Sequence, residues 1–285
     1  MDYKKFESIR RAYAKKLSWI IGLSCAAALV SLPFLLFLFP LYLIVFIICY
    51  LFIPRKERER YQAAYREYFV TKALSETFSS FHHSASGLPL HRVSETGMIN
   101  TGDHYRSNDL ITGAYKDVDF AQADIHITEE HTDSEGHTSE STVFRGRYLI
   151  FEFKKKFGFR LAVVGKGFHA ARLRHQKDGR KFSRVSLESP MFNKLFKTYA
   201  EDGFEAFYLL DPAFLDRAER LAEAHKKRVF LGFSGNLLHV AIQDGKDSLE
   251  PPAPFKRLDE AKEFAKIKTD LKLITDIVDT LKLQG

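Results

Sequence analysis

The stretch Leu17–Ile53, LSWIIGLSCAAALVSLPFLLFLFPLYLIVFIICYLFI, carries no charged residue. A helical span needs roughly 20 mostly apolar residues to cross a hydrocarbon core of about 30 Å. Wound as one helix at about 1.5 Å per residue, this stretch would reach roughly 55 Å, which one span uses only with extreme tilt. Two spans use it well. Pro33 removes a backbone donor and disfavours helix at the residue before it, so the break is placed at Ser31-Leu32-Pro33. That leaves Leu17–Leu32 and Phe34–Ile53 as a two-helix transmembrane hairpin, whereas a break at Pro40 would leave a second piece too short to cross. The turn has almost no polar residue, so a hairpin that dips into the membrane without crossing it is the alternative.

Orientation follows from the flanks. Lys4, Lys5, Arg10, Arg11, Lys15 and Lys16 precede the run, and Arg55, Lys56, Arg58 and Arg60 follow it. Lys and Arg near span ends favour the cytoplasmic side, so both termini and the rest of the chain are expected there, at a plasma (inner) membrane. The run is far too long for a cleaved signal peptide, and no small-residue cleavage site follows it. The formal net charge is +7, which invites a nucleic-acid reading. Beyond residue 60, however, 33 Lys and Arg stand against 32 Asp and Glu. The basicity belongs to the membrane flanks, where it suits anionic headgroups, and no nucleic-acid partner is expected. The two cysteines, Cys25 and Cys49, both lie within the apolar run, so the rest of the chain has neither a disulfide framework nor a zinc pattern.

Past the run, residues 54–81 read as a juxtamembrane helix whose Tyr61, Tyr65, Tyr68 and Phe69 recur near helical spacing. These rings either pack on the domain or sit among headgroups. Residues 82–104 look irregular. Phe120–Thr128 alternates as a strand, and Val143–Phe153, Phe159–Val164 and Arg184–Leu187 read as further strands. The polar EEHTDSEGHTSEST between the first two reads as a long loop. Ser189-Pro190 opens a short helix with Phe192, Leu195 and Phe196 on one face, and a second helix runs from Pro212 to Lys226. A hairpin is expected next, Arg228–Phe233 and Leu237–Gln243 about the turn Ser234-Gly235-Asn236. Pro251-Pro252-Ala253-Pro254 reads as a stiff linker. The last helix, Leu258–Leu283, spaces Phe264, Ile267, Leu271, Ile274, Val278 and Leu281 by 3, 4, 3, 4 and 3. Such a stripe docks on its own chain or meets a partner helix.

The stretches YRSNDLITG (Tyr105–Gly113), VFRGRYLIFEF (Val143–Phe153), VSLESPMFNKLF (Val185–Phe196), EAFYLLDPAFL (Glu205–Leu215) and FLGFSGNLLHVAI (Phe230–Ile242) occur in an order that resembles a bacterial membrane protein family labelled domain of unknown function 3137. The resemblance implies a bacterial inner-membrane protein with a cytoplasmic α+β domain. It carries over no catalytic residue, since no activity is attached to the family.

Candidate chemistry is sparse. His126, His131 and His137 lie among Glu129, Glu130, Asp133 and Glu135, a donor set a divalent metal accepts, but the spacing fits no ligand motif and a solvated loop explains them. His82, His83 and His91 lack a carboxylate nearby in sequence. Asp109 is a general base or ligand carboxylate, or else caps a turn beside Tyr105, with Gly113 supplying a positive φ. Glu188 suits a helix start on dipole grounds alone. Arg145 and Arg147 share a strand face, ready for an anionic ligand or simply facing solvent. Gly165-Lys166-Gly167 lacks the phosphate-loop pattern, and Gly232-Phe233-Ser234-Gly235 is not a nucleophile elbow.

The expectation is therefore an α+β chain with a mainly antiparallel sheet and flanking helices. Its parts are a basic N-terminus (1–16), the transmembrane hairpin (17–53), the juxtamembrane helix (54–81), a cytoplasmic domain (82–250), and a Pro-rich linker with an amphipathic helix (251–285). The expected role is a membrane-anchored binding or scaffold module. Its partners are the bilayer, met through residues 17–53 and their basic flanks, and a protein. The alternatives are an enzyme on a membrane-proximal or lipid substrate and a subunit of a transport or envelope complex. No catalytic, cofactor or metal residue is assigned, and a non-enzymatic role is favoured.

Overall fold

The computed structural model describes residues 1–30, 43–44, 47, 55–173 and 182–281. The chain forms two compact units, Met1–Leu74 with Leu249–Lys268, and Ser75–Ser248 with Thr269–Gly285.

The first unit is helical. α1 (Tyr3–Val30) begins well before the apolar run and continues into it. Its Phe6, Glu7, Arg10, Tyr13, Leu17 and Ile20 are buried at helical spacing, after which Ile21 and Leu23 are exposed. α2 (Arg55–Tyr65) runs through a π-helical turn (Arg66–Val70) into α3 (Thr71–Thr77). The extra residue of the π turn brings both Tyr68 and Phe69 onto the buried side with Tyr61 and Tyr65. α1 and α2 lie antiparallel: Lys16 pairs with Glu57 at 2.9 Å, Arg58 Nε donates to Tyr13 Oη at 3.3 Å, and the Phe6 and Phe69 rings meet edge to face at 5.1 Å. The prolines are fastened here rather than spanning a gap. Pro252 O accepts from Tyr61 Oη at 2.9 Å, and Pro254 O accepts from Arg10 Nη1. The first part of the last helix, α8 (Glu260–Leu281), joins them, with Phe264 5.0 Å from Phe69 and Tyr65 Oη donating to Glu263 at 2.5 Å. The aromatic face of residues 61–69 is thus a packing face. Among the described residues no helix is long and apolar enough to cross a membrane. The turn at Pro33 and, apart from residues 43–44 and 47, the expected second span lie outside the described residues.

The second unit is an antiparallel sheet with flanking helices, built in the order β1 (Ser80–Ser86), α4 (Leu90–Ser94), β2 (His104–Tyr115), β3 (Val118–Thr132), β4 (Thr138–Gly165), β5 (Ser183–Val185), α5 (Pro190–Leu195), β6 (Phe196–Ala200), α6 (Gly203–Leu209), α7 (Pro212–Ala224) and β7 (Val229–Ile242). The strand order is β1-β2-β3-β4-β6-β5, with β7 also on β4. β4 is the hub. β7 lies along Arg147–Val164, and β3 and β6 share the opposite edge end to end. One sheet face carries Ala123, Ile125, Ile127, Tyr148 and Ile150 into a core closed by Leu88, Val93, Met98, Phe168 and Phe230. The other carries Leu149, Phe151 and Val240. Residues of α8 from Thr269 onward lie on this second face, where Arg147 Nη1 donates to Asp270 O at 3.3 Å and Lys116 pairs with Asp279 at 2.8 Å. Leu271, Ile274 and Val278 are fully buried, so the heptad stripe is a docking face on its own chain.

Several local expectations are corrected. The two strands expected over 143–164 are one, because β7 backs β4 across the interruption. The polar stretch is not a long loop: β3 and β4 stay paired as far as Thr132 and Thr138. Residues 82–104 hold β1 and α4. The expected hairpin at 228–243 is one strand, β7, running through Gly235 at φ +60°, where the register with β4 slips. A continuous partner strand satisfies more backbone groups than a tight turn would, and extra residues of β4 opposite Gly235 take up the mismatch. The short helix ends at Leu195, and Phe196 opens β6.

Candidate functional site

A row of polar side chains crosses the α8-covered face of the sheet, because the register sets Asn108 opposite Asp124 and Asp124 opposite Arg147. Two further aspartates close on it. Asp109 sits in a bulge of β2 at φ +53°, an unusual conformation for a residue with a side chain, and is 1% exposed. Asn108 Nδ2 bridges Asp109 and Asp247 at 2.8 and 2.9 Å, and His83 Nε2 lies 3.3 Å from Asp109. Ser248 gives Asp124 its backbone N–H at 3.0 Å and stands 3.3 Å away with its hydroxyl. Burial, then the nearby Asp247 charge, pushes the Asp124 carboxyl up to about 8, well above the usual carboxylate range. Arg147 is buried, with Asp244 at 3.2 Å and Asp270 at 3.6 Å.

The cluster ties the 244–248 segment and α8 to the sheet. Three cavities lie elsewhere, lined by residues of β4–β6, of α7 with α8, and of α1. The sequence reading is corrected at two points. Arg147 is buried and paired within the fold, while Arg145 is exposed. Asp109, not Gly113, holds the positive φ; a Cβ at Gly113 would stand 2.5 Å from Ser80 O, so that glycine admits β1. His83, with no carboxylate nearby in sequence, meets one 26 residues along the chain. Glu188 is exposed beside the helix start, and Ser189 Oγ provides the cap by accepting from Phe192 N at 3.2 Å.

The other histidines stay apart. His126 meets Thr142 at 3.3 Å, His131 meets Ser141 at 2.9 Å, and His137 stands 3.3 Å from Asp133. Among the described residues no group of three or more His, Cys, Asp or Glu is arranged to hold a metal ion.

The feature that sequence reasoning missed is an aromatic face. Asp202 caps α6, its Oδ1 accepting from Phe204 N at 2.8 Å and Glu205 N at 3.2 Å. Ala206 and Leu210 are buried, which turns Phe204, Phe207 and Tyr208 outward at 69%, 47% and 72% exposure. The Phe204 and Tyr208 rings meet edge to face at 5.3 Å. Met191 on α5 is also exposed. The signal lay in EAFYLL, which holds more large apolar residues than one turn of helix can bury.

Residues 142–283 match the family model described as protein of unknown function (DUF3137). That stretch belongs to the DUF3137 family. It holds most of β4, the aromatic face, β7 and all of α8. No curated protein matches the sequence. Among solved structures, the crystal structure of the mycobacterial trehalose monomycolate transport factor A, TtfA, is similar at 12% identity over 78% of this chain and 96% of that chain. Its TM-score of 0.42 is too low to carry an argument about function.

Proposed function

We propose that this chain is a membrane-anchored binding or scaffold module whose domain lies on the cytoplasmic side and engages a protein partner. The aromatic face of α6 carries the binding reading. Isolated exposed apolar residues are ordinary, but three large rings on two turns mark a contact surface. The anchor rests on α1, which buries one stripe as far as Ile20 and then exposes Ile21 and Leu23, with Trp19 exposed beside them. Its antiparallel pairing with α2 brings the two ends of the Leu17–Ile53 run together, as a membrane hairpin or a re-entrant loop requires. Anchoring raises the effective concentration of the domain toward partners at the same membrane.

In-cell crosslinking of the full-length chain, read by mass spectrometry, tests the binding reading. A near-stoichiometric partner retained by the wild type and lost from Phe204→Ser/Tyr208→Ser is the expected result. An unchanged set of partners in a variant that melts normally would refute the aromatic face. Alkaline carbonate extraction tests the anchor, which requires the wild type to stay in the membrane pellet.

A further inference from the structure

We propose that a basic groove where β4 meets β6 binds a small phosphate-bearing ligand. The groove has a volume of about 460 Å³, within the roughly 300–1,000 Å³ range of small-ligand pockets. Its cations are Lys166, Arg172 and Lys197, with the His169 imidazole beside them, and Phe168 and Tyr199 supply aromatic surface between them. Among the described residues no carboxylate lines it. Among the described residues none of the three cations has an ion-pair partner; Arg172 Nη1 reaches the amide oxygen of Asn100, at 3.5 Å. Beyond residue 60 acids and bases nearly balance, so an unpaired group of this size is a local segregation of charge. Solvent screens the repulsion among these exposed side chains only in part, and a bound anion relieves the remainder.

The frame is fixed before any ligand arrives. Phe168 is buried, with its ring stacked on Phe230 at 5.5 Å. Lys197 is in register with Val164 on the β4–β6 ladder. Arg172 N donates to Met98 O at 2.8 Å, and Gly167 N donates to Lys227 O at 2.9 Å. The second of these bonds brings a tight turn, with Lys226 and Lys227 at φ +54° and +63°, against Gly167. Arg and Lys together with an aromatic floor suit a phosphate ester carrying an organic group. The Gly165-Lys166-Gly167 segment contributes as part of this frame, not as a phosphate loop. The site is independent of the anchor and of the α6 face.

Isothermal titration of the full-length chain in a nonionic detergent tests the proposal, with pyrophosphate, glycerol 3-phosphate and dihexanoylphosphatidic acid as probes. Saturable binding of at least one probe is expected, weakened at least about tenfold by Lys166→Gln/Lys197→Gln and by raising salt from 50 to 500 mM. A control variant, Arg106→Gln/Arg145→Gln, removes two exposed charges elsewhere and should leave affinity within twofold. Equal affinity for the last two probes would point to a soluble phosphate ester, and tenfold preference for the acylated one to a lipid headgroup; both support the site. The proposal is overturned if no probe saturates by 10 mM, or if the groove variant binds like the wild type. Tighter binding of a mixed-sequence oligonucleotide than of every probe, lost in the groove variant, would overturn it in favour of a nucleic-acid surface.

Discussion

Lys16 Nζ lies 2.9 Å from Glu57 Oε1, and this contact sets the two ends of the apolar run side by side. The Lys16 hydrogen bond holds the Glu57 carboxyl below its usual range. Both side chains are partly exposed, so the pair contributes modestly. Lys16→Glu is expected to lower stability by about 1 kcal/mol, and the exchange Lys16→Glu/Glu57→Lys to restore most of it. Thermal melts in detergent decide this. A charge exchange that restores nothing would mean that the two ends do not meet.

A second ion pair is more deeply placed. Glu7 accepts from Arg10 Nε and Nη2, both at 2.7 Å, and from Arg11 Nε at 2.9 Å. Arg10, counted by sequence as a basic flank for lipid, is 5% exposed and turned into the helical unit. The Arg10 hydrogen bonds hold the Glu7 carboxyl down at about 2, against 4.5 ordinarily. A lowered carboxylate stabilises the fold fully above its unfolded value and loses that contribution as pH falls through the folded one. Glu7→Gln is expected to cost about 3 kcal/mol at pH 7, because Arg10 is left buried without its partner. The gap to wild type should narrow between pH 4.5 and about 2. Denaturant titrations at pH 7, 4 and 2.5 measure it, and a constant gap would place the effect elsewhere.

How far the sequence could be read is instructive residue by residue. Periodicity marked Phe120–Thr128 as a strand and Leu271, Ile274 and Val278 as a docking stripe, because burial of one face writes itself into local spacing. It could not show that β7 runs on through Gly235. Ser-Gly-Asn carries the chemistry of a turn, and only the long partner β4 decides otherwise. The polar row was equally hidden. Asn108, Asp124, Arg147 and Asp247 are far apart in sequence, and strand register alone assembles them. The groove cations sat in unremarkable local contexts, and their common feature, the lack of facing acids among the described residues, exists only in three dimensions.

Asp124 reverses the sign of the Glu7 case. Its carboxyl rises to about 8 in the fold through burial, then the charge of Asp247, while Arg147 and the Ser248 N–H pull the other way. The unfolded chain ionises this group near pH 4 and the native one does not, so stability falls as pH rises from about 4 to 8. Asp124→Asn, which copies the protonated form, is expected to be more stable than wild type by about 2 kcal/mol or more at pH 8. The advantage should vanish near pH 4. An advantage that is flat with pH would show that Asp124 does not titrate there.

Two glycines of the central strands both hold a positive φ, +154° at Gly146 and +60° at Gly235, and the first is also crowded. At Gly146 a Cβ would stand 2.0 Å from Ile242 O, a backbone atom of the paired strand β7. Neither strand can yield without breaking the ladder that carries Arg147, so Gly146→Ala is expected to cost about 3 kcal/mol or more. At Gly235 nothing lies within 4 Å, and only the φ of +60° resists a side chain. Gly235→Ala should therefore cost about 1 kcal/mol, and Gly235→Asn less, since asparagine tolerates that region. Denaturant melts of the three variants test the ranking. Equal costs for the two alanine variants would contradict the close approach of β7 at Gly146, and an alanine better than asparagine at 235 would contradict the positive φ there.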